Sequence, residues 1–494
     1  MTSQDATVGR RAFRRWPAPA FRTTFAATTF VVGLIVVGIL LTEPDRIRLA
    51  LAATAVLLVV GAGFIAARQL LLGTVVWIAA LGLVRRLTTE ISPPGEADPL
   101  LIVAPAATLV LLIVAIDRGA FRIDTSLSKA VLVLTAFVLL GAVNPLQGSV
   151  VAGLAGLLFI LVPTLSFWVG RGLCDDRTLT VVIGIVAVLG VAAAGYGLWQ
   201  TLLGFPRWDV EWIRTSGYEA LNVGGAIRAF ASFGSAQEYA YFLAITFIAL
   251  LAFARRLPWL PITLCALGLV GTALVLESSR GVIFTLVLAL AVMASAFLRL
   301  PGPAVFAIAA VSILVVTVGA SAVVPAGLRS TDQATTDPER LLAHQLDGLA
   351  DPLDPDSSTL GLHYELLKEG VLSSLNDPFG QGLAVVSRAG EKFGELQLST
   401  EIDPSNVAVA LGIPGFAVYL VVVALAFWSA YRLALARRDV LSILALGILT
   451  ITIFQWLNGG LYAVSALTWL VLGWIDRARS SQEPPRRRRS AEGT

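Results

Sequence analysis

The chain has 494 residues, of which 56% are hydrophobic and only 14% charged, with a formal net charge of +3 and a mean hydropathy of +0.81. This excludes a soluble multidomain protein, because apolar runs repeatedly reach the roughly 17–25 residues that cross a bilayer as helix. It also excludes a membrane β-barrel, whose strands alternate polar and apolar over about ten residues. Two cysteines, Cys174 beside one apolar run and Cys265 within another, cannot build a disulfide framework or a metal cluster.

The pattern predicts an all-α polytopic membrane protein with about 12–14 transmembrane helices. Residues 1–23 carry Arg10, Arg11, Arg14 and Arg15, the basic flank of a cytoplasmic end. The first run, Thr24–Leu41, is longer than a signal h-region and lacks a small-residue cleavage site, so it is read as a retained span. Further spans are expected at Leu49–Ala66, Leu70–Val84, Leu100–Ile116, Ala130–Val143, Val150–Val169 and Leu179–Leu203. After residues 204–238 come Tyr239–Ala254, Trp259–Leu276, Val282–Leu298 and Ala304–Val324, which complete a bundle over residues 24–324. The long segment 325–404 precedes three last spans within residues 405–476, at Val407–Ala430, Leu441–Trp456 and Tyr462–Ile475, and a basic tail over 477–494.

Counted from a cytoplasmic start, most basic connections fall inside: Asp117–Lys129, Gly170–Arg177, Arg255–Arg256, Arg299–Gly302, Tyr431–Asp439 and the Arg486–Arg489 tail. Arg46, Arg48, Arg85 and Arg86 are misfits, placed outside by the same count. Segment 325–404 holds 14 acidic against 5 basic residues, as an extracytoplasmic loop should. Within it Thr331–Ser358 is expected to be mobile, whereas Leu360–Leu375 has the apolar spacing of an amphipathic helix lying on the membrane or over a cavity.

Two arginines mark the outer face. Arg280, in Glu277-Ser-Ser-Arg-Gly281, stands where one apolar run hands over to the next. A guanidinium at the centre of a bilayer costs about 2.5–3.5 kcal/mol, so one kept at a helix end needs water, a partner or an anionic ligand. The turn can be a solvated one closed by a Glu277–Arg280 pair, or an anion site. Arg228, in Ile227-Arg-Ala-Phe-Ala-Ser-Phe-Gly234, stands just before the next span on the same face. Trp208 and Trp212 read first as an interfacial belt and second as substrate contacts.

The succession Gly197-Leu-Trp-Gln200, Arg228-Ala-Phe-Ala-Ser-Phe-Gly234 with Tyr239, Ala240 and Leu243, then Glu277-Ser-Ser-Arg-Gly281, resembles the O-antigen ligase/polymerase family of bacterial envelope glycosyltransferases. The long loop ending in Asn376-Asp-Pro-Phe-Gly-Gln-Gly382, followed by Leu411-Gly-Ile-Pro-Gly-Phe416, is similar to that family too, so the likeness covers about residues 195–420. The resemblance implies a metal-independent membrane enzyme that takes a glycan from a polyprenyl diphosphate and passes it to an acceptor hydroxyl at the outer face of the cytoplasmic membrane. It implies that Arg228 and Arg280 bind the diphosphate. The chemistry agrees, since two guanidiniums with a planar fork can neutralise the leaving group.

Family ligases carry a His-Asn pair before the Gly-Ile-Pro-Gly segment. Here that region reads Thr400-Glu-Ile-Asp-Pro-Ser-Asn406, without histidine and with shorter spacing. An acceptor hydroxyl still needs a base, and the candidates are His363, Glu401 and Asp403. His363 reads first as a surface residue of an amphipathic helix and second as a base, and Asp403 is equally a turn or N-cap before Pro404. Asp377-Pro378 with Gly380 and Gly382 is expected to form a tight turn that holds the loop, and Gly412–Gly415 to break the helix containing it.

The expected partners are a polyprenyl-diphosphate-linked glycan donor, a glycan or glycolipid acceptor and the lipid bilayer. No cofactor, metal or nucleic acid is expected, and no P-loop or Rossmann fingerprint is present. A polymerase extending the lipid-linked glycan is the alternative within the class. A transporter or flippase is the alternative outside it, for which paired broken helices in two repeated halves would be needed.

Overall fold

In the computed structural model the described residues are 38, 46–89, 91–92, 98–215, 222–223, 225–254, 260–301, 304–305, 307–308, 310–315, 334–350, 360–387 and 402–481. The basic N-terminus, nearly all of Thr24–Leu41, much of Ala304–Val324, Glu401 and the Arg486–Arg489 tail lie outside them.

The chain is an all-α polytopic membrane protein. Its helices are α1 (Ile47–Ile65), α2 (Ala67–Leu87), α3 (Val103–Asp117), α4 (Ser126–Ala142), α5 (Val150–Leu173), α6 (Asp176–Leu203) and the short α7 (Arg207–Thr215). A two-strand hairpin, β1 (Asn222–Val223) and β2 (Ala226–Ile227), precedes α8 (Ala236–Phe253), α9 (Leu260–Leu276) and α10 (Arg280–Leu298). Then come α11 (Asp337–Ala350), α12 (Leu360–Asn376), α13 (Asp403–Arg437), α14 (Val440–Ile451) and α15 (Tyr462–Ser480). Among the described residues eight helices are long and apolar enough to cross a membrane, and α1, α4, α9 and α14 are shorter apolar ones. All twelve expected spans that fall on described residues are therefore helices.

The bundle is built on close helix contact through small residues, the way helices associate where lipid is as apolar as leucine. At its centre α5 lies against α15. A Cβ on Gly170 would overlap the Leu470 carbonyl, and one on Gly473 the Phe167 carbonyl. Large side chains such as Trp168, Trp469 and Trp474 are buried around this crossing.

Side-chain pairs lace the two ends of the bundle. At one end the buried Arg171 pairs with Asp124 and with Asp476, while Arg437 pairs with Asp176 and Asp439. At the other, Arg48 and Arg85 share the Asp98 carboxylate at 2.8 and 2.6 Å. There too the fully buried Arg86 pairs with Asp209 at 2.7 Å. This accounts for three of the four misfit arginines. Arg48, Arg85 and Arg86 are not a solvated basic flank but cations neutralised in the protein, so they carry no topological signal.

The break expected at Gly412–Gly415 is present. Gly412 has φ 68° inside α13, and the 378–382 segment fits into the gap. The Ile413 amide donates to the Pro378 carbonyl (3.0 Å), and the amides of Gln381 and Gly382 donate to the carbonyls of Val409 and Ala410 (2.8 and 3.0 Å). The turn of Asp377–Gly382 thus satisfies backbone groups that the broken helix cannot. Asn144 donates to the Gly380 carbonyl and ties the same turn to the α4–α5 connection.

The expected helix over Leu360–Leu375 is α12. It packs on α13, and its exposed face mixes Tyr364, Leu372 and Leu375 with Glu365, Lys368 and Glu369. Within Thr331–Ser358, expected to be mobile, residues 337–350 instead form α11. Pro338 stands in its first turn, and Glu339 accepts from the amides of Thr335 and Thr336, which fixes the start of the helix.

Gly412→Ala is expected to be strongly destabilising. The added methyl would meet the Pro378 carbonyl, and the backbone at φ 68°, ψ −171° is one that only glycine adopts readily, worth about 1–3 kcal/mol before the clash is counted. Thermal unfolding in detergent checks this, with Gly184→Ala, which meets nothing within 4 Å, as the neutral control.

Candidate functional site

Arg228 and Arg280 reach the same end of the bundle by different routes. Arg228 follows the hairpin, in an extended stretch threaded between helix ends. That stretch is held by Gln200, whose Oε1 accepts from the amides of Phe230 and Ala231 (3.1 and 2.8 Å). Arg86 holds it from below, donating to the carbonyls of Ala231 and Phe233 and lying over the Phe230 ring at 4.6 Å. Asp209 joins the two holders, accepting from Gln200 at 2.7 Å and from Tyr196 at 2.6 Å.

Glu277 ends α9 and is almost fully buried. Its carboxylate and its carbonyl both accept from Arg228, the carbonyl from Nε at 2.8 Å. The anticipated solvated turn with a Glu277–Arg280 pair is not found. The carboxylate reaches instead across 49 residues to the more buried cation, because α9 ends inside the protein rather than in solvent. Burial pushes the Glu277 carboxyl upward, against the attraction of Arg228. Nη1 of Arg228 has no hydrogen-bond partner among the described residues. Ser278 occupies the left-handed region (φ 63°) and makes the sharp turn from which Arg280 opens α10.

Arg280 is covered by α11, a helix that also packs on α6, α9 and the hairpin. Its Nη2 lies 2.6 Å from Nε2 and 2.9 Å from Nδ1 of His344 and donates to the His344 carbonyl at 3.0 Å. The guanidinium rests against Gly348, where a Cβ would overlap it. The cover therefore depends on a glycine one turn beyond the histidine.

His344 was not among the expected bases. Its signal was the i, i+4 spacing of His344 and Gly348 within an amphipathic stretch, hidden because Thr331–Ser358 looked like an unstructured tract. Burial, and then the charges of Arg280 and Arg228, push the imidazole down to about 4, so it is a neutral ring at ordinary pH.

The expected candidates are placed differently. Asp403, at the first turn of α13, is buried and accepts from the Tyr419 hydroxyl at 3.0 Å and the Leu457 amide at 2.8 Å. It caps the 454–457 turn rather than its own helix. His363 lies on α12, but only the backbone there is described, and Glu401 is outside the described residues. Trp208 donates to the Tyr196 hydroxyl at 2.8 Å, and Trp212 is buried beneath Arg85 at 4.7 Å. Through these contacts α7 is tied to α6 and α2. Among the described residues no three His, Cys, Asp or Glu side chains converge as a metal site requires.

The depressed titration of His344 gives a signed expectation for α11. The docked state holds the neutral ring, so its contribution to docking is complete above about 6.5, the ordinary histidine value, and is lost as pH falls towards about 4. Hydrogen exchange over residues 337–350, corrected for intrinsic rates, should show easier opening at pH ~5 than at ~7.5, and His344→Gln should flatten the difference. No protein-family model matches the chain, and comparison with curated proteins and with solved structures yields no match.

Proposed function

We propose that the protein is a membrane glycosyltransferase that moves a glycan from a polyprenyl diphosphate to a hydroxyl of a glycan or glycolipid. The observation that carries the proposal is the meeting of Arg228 and Arg280, 52 positions apart in sequence, close enough for both charges to act on His344. The likeness of the surrounding residues to the O-antigen ligase/polymerase family supports the same reading.

In the proposed reaction the acceptor oxygen attacks the anomeric carbon from the side opposite the diphosphate. The anomeric carbon–oxygen bond breaks, and its electron pair leaves on the phosphate oxygen. Arg280 and the free Nη1 edge of Arg228 neutralise that charge, and the low-dielectric surroundings strengthen the effect. Glu277 fixes Arg228 through Nε and Nη2, so the cation is aimed before the donor arrives. The hydroxyl proton passes to a base. His344 suits this role by position, its neutral ring standing beside Arg280; the two cations hold its proton affinity down, and a bound diphosphate that offsets their charge would raise it.

Donor and acceptor of this kind meet at the outer face of the cytoplasmic membrane, which puts the site end of the bundle outside. Cysteine introduced at Glu369, in a Cys265→Ala background, should react with an impermeant reagent from outside, and cysteine at Ser481 should not. Labelling at Ser481 and not at Glu369 would reverse the orientation.

Purified protein supplied with polyprenyl-diphosphate glycan should release the lipid diphosphate only when acceptor is present. Arg280→Ala is expected to lower this release by at least 10²–10³-fold, roughly the worth of a group that stabilises a developing anion. Arg280→Lys should recover little of the loss, because lysine lacks the fork. Arg228→Ala should also lose activity, but it strands a buried carboxyl and needs a parallel unfolding measurement. Near-parental turnover by Arg280→Ala would remove the diphosphate clamp.

A further inference from the structure

The arginines and His344 leave part of this end of the bundle unused. Gln345 is fully buried on α11, and neither Nε2 nor Oε1 of its amide has a hydrogen-bond partner. Among the described residues no other glutamine or asparagine is in that position. Gln345 adjoins His344 on the helix face that also carries Leu341, Gly348 and Leu349, the face turned towards the ends of α6, α9 and α10. Two more buried atoms, in the turn that leads into Arg280 and so to its contacts with His344 and Gly348 of α11, have no hydrogen-bond partner: Oγ of Ser278 and the second carboxylate oxygen of Glu277, Oε2. The first belongs to a residue held in a left-handed conformation, and the second to the carboxylate that positions Arg228.

Buried polar groups are normally satisfied, and leaving them unmade is costly, so a cluster of them beside two cations calls for an explanation. A diphosphate does not supply it. Diphosphate oxygens only accept, whereas Gln345 Oε1 is an acceptor that needs a donor. A sugar ring carries neighbouring hydroxyls, each able to donate and accept, and an amide can take two of them at once.

We propose that Gln345, Ser278 and Glu277 form a sugar subsite next to the arginine clamp, where the first sugar of the lipid-linked donor is held by its hydroxyls. Helix α11 then brings a recognition residue to the donor as well as covering Arg280. The subsite rests on the diphosphate-clamp reading, and Gln345 is the residue that separates the two.

Detergent-solubilised full-length protein is titrated with undecaprenyl diphosphate and with the same lipid bearing a single hexose or N-acetylhexosamine. The parent should bind a sugar-bearing lipid more tightly than the bare one. Gln345→Leu should lose that gain, a weakening on the order of tenfold, and leave the affinity for the bare lipid unchanged. Ser278→Gly, which removes the hydroxyl and suits the backbone, should lose part of the same gain. Neither variant should unfold earlier than the parent, because each deletes a buried unbonded group. If Gln345→Leu keeps the gain, or weakens both lipids alike, the subsite is overturned and the arginine clamp stands. A parent that binds neither lipid overturns both.

Discussion

The site end of this bundle depends on the cost of a guanidinium without a counter-charge in apolar surroundings. Each buried arginine there is met by a partner from a distant part of the chain: Arg48 by Asp98, Arg86 by Asp209, Arg228 by Glu277. Taking one member away leaves an uncompensated buried charge, which is why such pairs are hard to break even where they add little net stability. Because the partners belong to different helices and loops, pairing them fixes where those segments end. Arg86 makes the point most directly, holding Asp209 and two carbonyls of the stretch that carries Arg228.

A second constraint comes from the backbone. Helix α13 can be interrupted at Gly412 only because the Pro378–Gly382 turn takes up the hydrogen bonds released by the break. The two glycine-rich segments are thus two halves of one joint. The joint anchors α12 and the end of the long segment beside the bundle.

The polar chemistry divides between a fixed part and a covering part. Arg228 is aimed by Glu277 from within the bundle, whereas Arg280 is met by His344 and packed against Gly348, both on α11. Helix α11 has a modest buried face and carries ionisable or polar groups at its contact with the bundle, so its hold on Arg280 is the part of the site expected to respond to pH. A covering helix of this kind can exclude water from two guanidiniums and so raise their effect on an anion.

The sequence by itself determined the all-α membrane class, the twelve apolar helices that fall on described residues, the helix α12, the break at Gly412 and the two arginines at one end. All of these follow from local properties: runs of apolar residues, the period of a helix, and the cost of charge in oil. Tertiary structure decided the partners. Nothing local told that Glu277 would serve Arg228 and not Arg280 three residues away, that Asp403 would cap the 454–457 turn, or that Arg48, Arg85 and Arg86 would be neutralised internally. It also chose His344, since a polar amphipathic helix acquires a role only from what its buried face meets. Pair formation is set by the packing of helices far apart in the chain, and that distance is invisible to spacing and composition.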